Sequence, residues 1–281
     1  MTVVEVLRAA ATRLGSASAS PRLDAEVLLA HVLKKPRGGL LAGSDESLPE
    51  NAAAQFNALL LRRLQGEPVA YLIGHWEFWS LPLKITPEVL VPRPETELLV
   101  QWSLEISRAS HLQHIADLGT GSGAIAFALA KELPGAHVIA VDRSAGALAL
   151  ARANGAALRL ANVVFFQEDF AAFFADTGVQ GGMFDLIVSN PPYIAEGDPH
   201  LRNLVHEPSG ALMAGADGLA SLRVIVAGAL ARLKAGGWLL VEHGWEQAAA
   251  VRELMQHSGL ERIETRRDLA GLERATGGRA P

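Results

Sequence analysis

Apolar positions recur at helical spacing through the first seventy residues and gather into short continuous runs after about residue 114. Val3, Val6, Leu7, Ala10 and Leu14 mark one face of a first helix, which Gly15 and the following Ser/Ala run bring to an end. Ser20-Pro21 reads as an N-cap with proline at the first helical position. The helix it opens carries Leu23, Val27, Leu28 and His31 on one side and stops near Pro36 and Gly38-Gly39. Pro49 starts a third helix through Phe56, Leu59, Leu60, Arg63 and Leu64, closed by Gly66. Three short amphipathic helices without a chemical motif predict a recognition or packing module, with His31 a packed or half-exposed helix residue and not a ligand. The pattern then changes: residues 71–79 and 81–85 are aromatic-rich and β-prone, which predicts a hairpin joining this module to the remainder of the chain. Arg93-Pro94-Glu95-Thr96-Glu97 has the proline and acids of a helix start, and Leu98, Leu99, Trp102 and Ile106 give that helix an apolar face.

From residue 114 onward, strand-like and helix-like stretches alternate. Strands are expected at 114–119, 137–142, 163–169, 184–190 and 237–243. Alanine- and leucine-rich helices such as 124–133 and 145–160 fall between them. Alternation of this kind predicts a mostly parallel sheet wrapped by helices on both faces. A strand at 261–265 and a short final one near Arg274 are expected to complete the sheet edge. The implied organisation is a helical domain at 1–70, a β-hairpin linker at 71–94 and an α/β domain at 95–281. No repeat or low-complexity segment interrupts it.

Composition narrows the chemistry. A net charge of −5 argues against the protein being a nucleic-acid platform, which usually carries a basic footprint. The chain has no cysteine, which excludes disulfides, thiolate zinc sites, iron–sulfur clusters and a cysteine nucleophile, and fits a reducing compartment. The first residues lack the basic start of a secretory signal, and no stretch reaches the roughly 18 apolar residues of a membrane span. A cytoplasmic protein is expected.

Four stretches carry chemistry, each at the carboxyl end of an expected strand, where open α/β sheets bind ligands. Asp117-Leu118-Gly119-Thr120-Gly121-Ser122-Gly123-Ala124 is a glycine turn into a helix, and Gly119, Gly121 and Ala124 fit the dinucleotide fingerprint. Asp142 ends the run Val138–Val141, 19 residues beyond Gly123, where an acid can accept hydrogen bonds from both ribose hydroxyls of an adenosine; that suits NAD and S-adenosylmethionine equally. Asp169 and Phe170 can flank a purine, the acid on its amine and the ring on its face, with core packing the competing role for Phe170. Asn190-Pro191-Pro192-Tyr193 follows the buried run 184–189. Two prolines stiffen the exit, so the Asn190 side-chain carbonyl, the Pro191 backbone carbonyl and the Tyr193 ring form a fixed corner suited to a planar –NH₂ group.

The run Asp-x-Gly-x-Gly-x-Gly, the acid at Asp142 and Asn-Pro-Pro-Tyr, in that order, resemble the amino-methyltransferases that use S-adenosylmethionine. Gly66–Gly74, Val91–Glu97, Glu207-Pro208 with Ala211-Leu212, and Gly215–Gly218 narrow the resemblance to the PrmC/HemK family, over nearly the whole chain. The resemblance implies a Rossmann-like class I S-adenosylmethionine-dependent methyltransferase domain with a seven-stranded, mostly parallel sheet, preceded by a small helical substrate-recognition domain and a β-hairpin linker. It implies methylation of the side-chain nitrogen (N5) of a glutamine in the Gly-Gly-Gln loop of class-I peptide-chain release factors. S-adenosyl-L-homocysteine would be the product, with no metal, membrane or nucleic-acid partner. Cofactor contacts are then expected at Asp117, Gly119, Thr120, Gly121, Ser122, Gly123, Asp142, Asp169, Phe170 and Asn190. Substrate contacts are expected at Asn190, Pro191, Pro192 and Tyr193, with Asn190, Pro191 and Tyr193 carrying the chemistry. The chain departs from the family pattern at Phe170, where some members have tryptophan, at His206, where phenylalanine is usual, and at Arg274–Arg279, which is poor in β-branched residues. The alternatives are a ribosomal-protein glutamine methyltransferase and an adenine- or guanine-amino methyltransferase. An NAD oxidoreductase would explain the glycine loop and Asp142 but not the corner.

Overall fold

The computed structural model describes residues 1–175 and 183–281, which divide into two compact units, Met1–His75 and Trp76–Pro281. The first is helical: α1 (Val3–Leu14), α2 (Pro21–Leu33), α3 (Arg37–Ala42), α4 (Glu50–Leu64) and α5 (Val69–Ile73). A reciprocal capping box opens α1. The Thr2 side chain accepts from the Glu5 N–H, and the Glu5 carboxylate accepts from the Thr2 N–H at 2.9 Å. The inward face of α2 differs from the expected one. Leu23 and His31 are exposed, while Asp24, Ala25, Leu28 and Leu29 are buried. The reason is a buried carboxylate: Asp24 accepts from the Ser18 and Ser20 hydroxyls and from Arg63 Nε at 2.8 Å, tying α2 to α4. An apolarity pattern cannot place such a residue inside. The expected ribbon also begins later than residue 71, because Val69–Ile73 is a buried helical turn ended by Gly74 at φ +76°.

The strands of the ribbon are β1 (His75–Phe78) and β2 (Leu81–Lys84). Trp79 and Ser80 make the turn, both at positive φ (51° and 55°), which bulky residues avoid. Carboxylates hold Trp79 there. Its N–H donates to Glu97 at 2.9 Å and its indole N–H to Glu132 at 3.0 Å.

Among the described residues the second unit contains a seven-stranded sheet of β3 (His114–Leu118), β4 (His137–Asp142), β5 (Val163–Gln167), β6 (Phe184–Ser189), β7 (Leu233–Glu242), β8 (Glu261–Arg267) and β9 (Glu273–Arg279), in the order β5-β4-β3-β6-β7-β9-β8. The first five are parallel and β9 is antiparallel to both neighbours. Helices α6 (Glu97–Ala109), α7 (Ala124–Glu132) and α8 (Ala145–Leu158) cover one face; α9 (Phe170–Ala175), α10 (Ala220–Ala229) and α11 (Ala248–His257) cover the other. The period-2 alternation of the strands divides the core between them. Leu118, Val141, Ile187 and Leu239 pack with Leu222, Ile225, Val226 and Val251 on one face.

The last strand is not an edge. β9 lies inside the sheet between β7 and β8, and its glycines have a steric reason. A Cβ on Gly277 would sit 2.5 Å from Leu240 and 2.7 Å from the Trp102 ring. The indole occupies the volume a β-branched residue would need, and Arg266 lies 4.2 Å over its ring.

The order reverses at β3. The chain runs outward through β4 and β5, then crosses to β6 on the other side. Leu118 lies level with Val141 on one side and Ser189 on the other, and Asp142 with Gln167. The loops after β3, β4, β5 and β6 therefore emerge together at the switch point, where ligands bind in such sheets. Among the described residues no helix is long and apolar enough to cross a membrane.

Candidate active site

The loop after β3 is held by its neighbours. The Gly119 and Thr120 N–H groups donate to the Val141 carbonyl at 2.8 and 2.9 Å, and the Gly121 N–H donates to Asp142 Oδ2 at 2.9 Å. Asp142 Oδ1 accepts from the Ser144 N–H at 2.9 Å, so this one carboxylate fixes both the glycine loop and the entry to α8. Gly121, at φ +55°, has nothing within 4 Å of where a Cβ would stand. Gly123, at φ +89°, opens α7, and any side chain there would land on the Phe127 ring. One glycine presents bare backbone to open space; the other is needed for packing.

A cavity of about 420 Å³ lies over this end of the sheet, within the ~300–1,000 Å³ range of small-molecule sites. Its walls include Gly119, Thr120, Gly121, Ser122, Asp142, Asp169, Phe170, Asn190 and Pro192. Nine of the residues read from the sequence thus meet in one space. Asp117 and Gly123 do not line it. Asp117 is 1% exposed beneath the loop, where Oδ2 accepts from the Thr120 hydroxyl at 2.7 Å and the Ala126 N–H at 3.1 Å, while Oδ1 has no partner among the described residues. Burial, with Asp142 nearby, raises its pKa to about 7. Its visible work is to shape the loop. Asp169 is exposed, and its Oδ1 accepts from the Ala172 N–H at 2.8 Å, capping the start of α9. Phe170 packs on the core and also faces the cavity, its ring 3.4 Å from where a Gly119 Cβ would stand. Its two readings are not exclusive.

Pro191 and Tyr193 line a second, smaller pocket of about 70 Å³ with Arg93, Leu204 and Leu212. Asn190 lines both and so stands at their border. The corner is held on every side. The Ser189 hydroxyl donates to the Leu118 carbonyl at 2.6 Å, and Gln247 Nε2 donates to the Tyr193 carbonyl at 3.0 Å. Asn190 Nδ2 donates to Thr96 Oγ1 at 3.0 Å, the Thr96 hydroxyl donates to Glu242 Oε2 at 2.7 Å, and the Tyr193 hydroxyl donates to Glu242 Oε1 at 3.1 Å. Glu242 ends β7 and is 2% exposed; burial pushes its pKa up to about 7 and that of Tyr193 upward as well. Glu207, 6% exposed, accepts from the Val91 N–H at 3.0 Å and pairs with Arg93, which fastens the 199–215 segment beside the smaller pocket. His206 next to it is half-buried.

Thr96 and Glu242 are the functional candidates that sequence reasoning passed over. Glu242 had a usable signal, since it ends the apolar run Trp238–Val241 as Asp142 ends Val138–Val141. Thr96 stood inside a helix start and was indistinguishable from a capping residue. Among the described residues, no group of three or more His, Asp or Glu side chains could hold a metal ion.

The PrmC N-terminal domain model matches residues 5–74, and a methyltransferase domain model matches residues 110–270. A release factor glutamine methyltransferase from Escherichia coli (strain K12) is 45% identical over 275 residues, covering 97% of this chain and 97% of that one. Its counterpart from Vibrio cholerae is 47% identical, covering 98% and 96%. The chain belongs to the release factor glutamine methyltransferase family. Solved structures extend the likeness at the level of fold. The ribosomal protein L11 methylase from Lactobacillus delbrueckii subsp. bulgaricus matches with a TM-score of 0.51 at 21% identity, covering 71% of this chain and 86% of that one. A T. Thermophilus 16S rRNA methyltransferase in complex with AdoMet and guanosine matches at 0.53 and 19% identity, covering 74% and 50%. The seven-stranded sheet is that of a class I methyltransferase, and the helical unit is the family's N-terminal domain.

Proposed function

We propose that the protein transfers a methyl group from S-adenosylmethionine to the side-chain amide nitrogen of the glutamine in the Gly-Gly-Gln loop of class-I release factors. The observation that carries the reading is Asn190. It is shared by a large cavity bounded by the glycine loop and Asp142 and a small pocket bounded by Pro191 and Tyr193. Family membership over nearly the whole chain supports the choice of substrate.

The residues present fit the cofactor. The unfilled space at Gly121 lets an amino-acid moiety approach backbone, Asp142 has lone pairs left for ribose hydroxyls, and Asp169 and Phe170 offer an acceptor and a ring face for a purine. When bound, S-adenosylmethionine supplies an electrophilic methyl group. The chain's own part is to prepare the nitrogen. An amide nitrogen is a poor nucleophile because its lone pair is delocalised into the carbonyl. Two acceptors, Asn190 Oδ1 and the Pro191 carbonyl, can hold its two hydrogens and favour the geometry in which that lone pair faces the donor. They also stabilise the positive charge that grows on nitrogen, at no cost in reorganisation. Tyr193, fixed through its hydroxyl and its carbonyl, gives the planar amide a rigid face to lie on. Orientation of this sort is worth up to about 7–11 kcal/mol in well-aligned systems. The proton leaves the nitrogen once the methyl is attached, so neither a strong base nor a metal is needed. On this reading the working compartment is the cytoplasm, the helical unit helps to recognise the protein substrate, and no nucleic acid is bound.

The test is incubation with labelled S-adenosylmethionine and, separately, a class-I release factor, ribosomal protein and nucleic acid, with mass mapping of the labelled product. Label on the Gly-Gly-Gln glutamine is expected. Label confined to ribosomal protein or to a base amine would overturn the substrate assignment.

A further inference from the structure

We infer that Glu242, acting through Thr96, is a positioning residue that fixes which end of the Asn190 amide faces the substrate. The inference rests on the reading of Asn190 as an acceptor for the substrate amide.

Hydrogen-bond polarity decides the orientation. The two ends of an asparagine amide are nearly the same size, and they differ only in that one donates and the other accepts. A planar –NH₂ group on the substrate needs the accepting end; an inverted Asn190 would oppose donor to donor. An ionised carboxylate can only accept, so Glu242 takes hydrogens from both hydroxyls that reach it, Thr96 at Oε2 (2.7 Å) and Tyr193 at Oε1 (3.1 Å). Thr96 has one hydrogen, and it is committed to Glu242. Its oxygen can then only accept from Asn190, 3.0 Å away, so the neighbouring group must be the Asn190 NH₂. Asn190 Oδ1 is thereby turned away from Thr96. A charge buried at the end of β7 sets the polarity of a side chain at the end of β6, with one hydroxyl between them.

The charged groups around Glu242 favour this state unequally. Arg274 of β9 supports the carboxylate, Glu95 beside Thr96 opposes it, and burial opposes it most. Protonated Glu242 would have a hydrogen to give. Donated to Thr96, it would reverse the hydroxyl and with it the amide. Methylation should therefore fall as pH drops through the range where Glu242 takes up its proton, near 7.

The experiment compares Glu242→Gln, Thr96→Val and Thr96→Ser with wild type, using a release factor as substrate. Glu242→Gln and Thr96→Val are expected to lower kcat about 10- to 100-fold. Thr96→Ser, which keeps the hydroxyl, should stay within about threefold of wild type. Glu242→Gln should also lose the acid limb of the pH–rate profile, while its calorimetric affinity for S-adenosylmethionine and its Tm stay near wild type. Wild-type turnover in Thr96→Val, or an unchanged acid limb in Glu242→Gln, would overturn the inference. So would parallel losses of Tm, cofactor affinity and activity that Thr96→Ser fails to rescue, since those would mark a structural role alone. Asn190→Ala separates the two levels. If it is inactive while Thr96→Val is normal, only the relay fails; if it is fully active, the reading of Asn190 fails and the relay with it.

Discussion

Asp142 and Asp117 are both acids at the ends of adjacent strands, and their surroundings give them different work. Asp142 is half-buried, lines the cavity and grips two backbone N–H groups; Asp117 is sealed beneath the loop. Asp142→Ala should weaken S-adenosylmethionine binding by about 30- to 1,000-fold, because it would remove the proposed ribose acceptor and loosen the loop at once. Calorimetry with no loss would remove it from the cofactor site. Asp117 makes itself felt in the pH dependence of stability. Its pKa is raised to about 7 from 3.8, so between these values the folded state holds a proton that the unfolded chain has released. Its contribution is therefore complete below about pH 4 and is lost as pH rises to 7, by a few kcal/mol. Asp117→Asn, which keeps the acceptor for Thr120 and Ala126, should flatten that part of the curve in urea titrations between pH 4.5 and 7.5. An unchanged slope would mean the carboxylate is not desolvated as its burial implies. The glycine loop, Asp142 and the Asn190 corner could be read from sequence because each is a few contiguous residues after a strand. The Thr96–Glu242 bond joins residues 146 apart and leaves no local trace.

At the level of elements, period and punctuation located the parallel strands and most helices, and failed where a neighbour overruled local preference. The buried face of α2 contains a carboxylate because Arg63 lies opposite, and no hydrophobic period marks it. Strand β9 reads as a poor, terminal strand, yet it is interior, paired with both β7 and β8, and its Gly277 leaves the room that Trp102 fills. Gly277→Ala should accordingly destabilise the protein by about 1–3 kcal/mol, the range for overpacking a filled core. Chemical denaturation would show this as a lower midpoint, and a neutral or stabilising result would mean the indole can move aside. Removing the ring in the same background, as Trp102→Leu with Gly277→Ala, should recover part of the loss relative to Trp102→Leu alone, since the two residues are in contact.

For the molecule as a whole, the division into a helical unit and a methyltransferase unit separates recognition from chemistry in the proposed function. Removing residues 1–75 should lower methylation of an intact release factor by much more than it lowers affinity for S-adenosylmethionine. Kinetics and calorimetry on the truncated chain would check this, and equal losses in both would mean the helices serve only to support the fold. Alternation of strand and helix was enough to determine the α/β class, and a glycine turn, an acid 19 residues on and a proline-stiffened exit were enough to propose a cofactor loop and a type of acceptor. Each is a local property of the chain, set by backbone freedom and side-chain period. Only the tertiary structure decided that Asp117 lies under the loop instead of in the cavity, that β9 is interior, and that Glu242 and Asn190 meet at Thr96. Those depend on which surfaces meet and on where a buried hydrogen-bonding group finds its partner, and neither is written in the order of residues along a single segment.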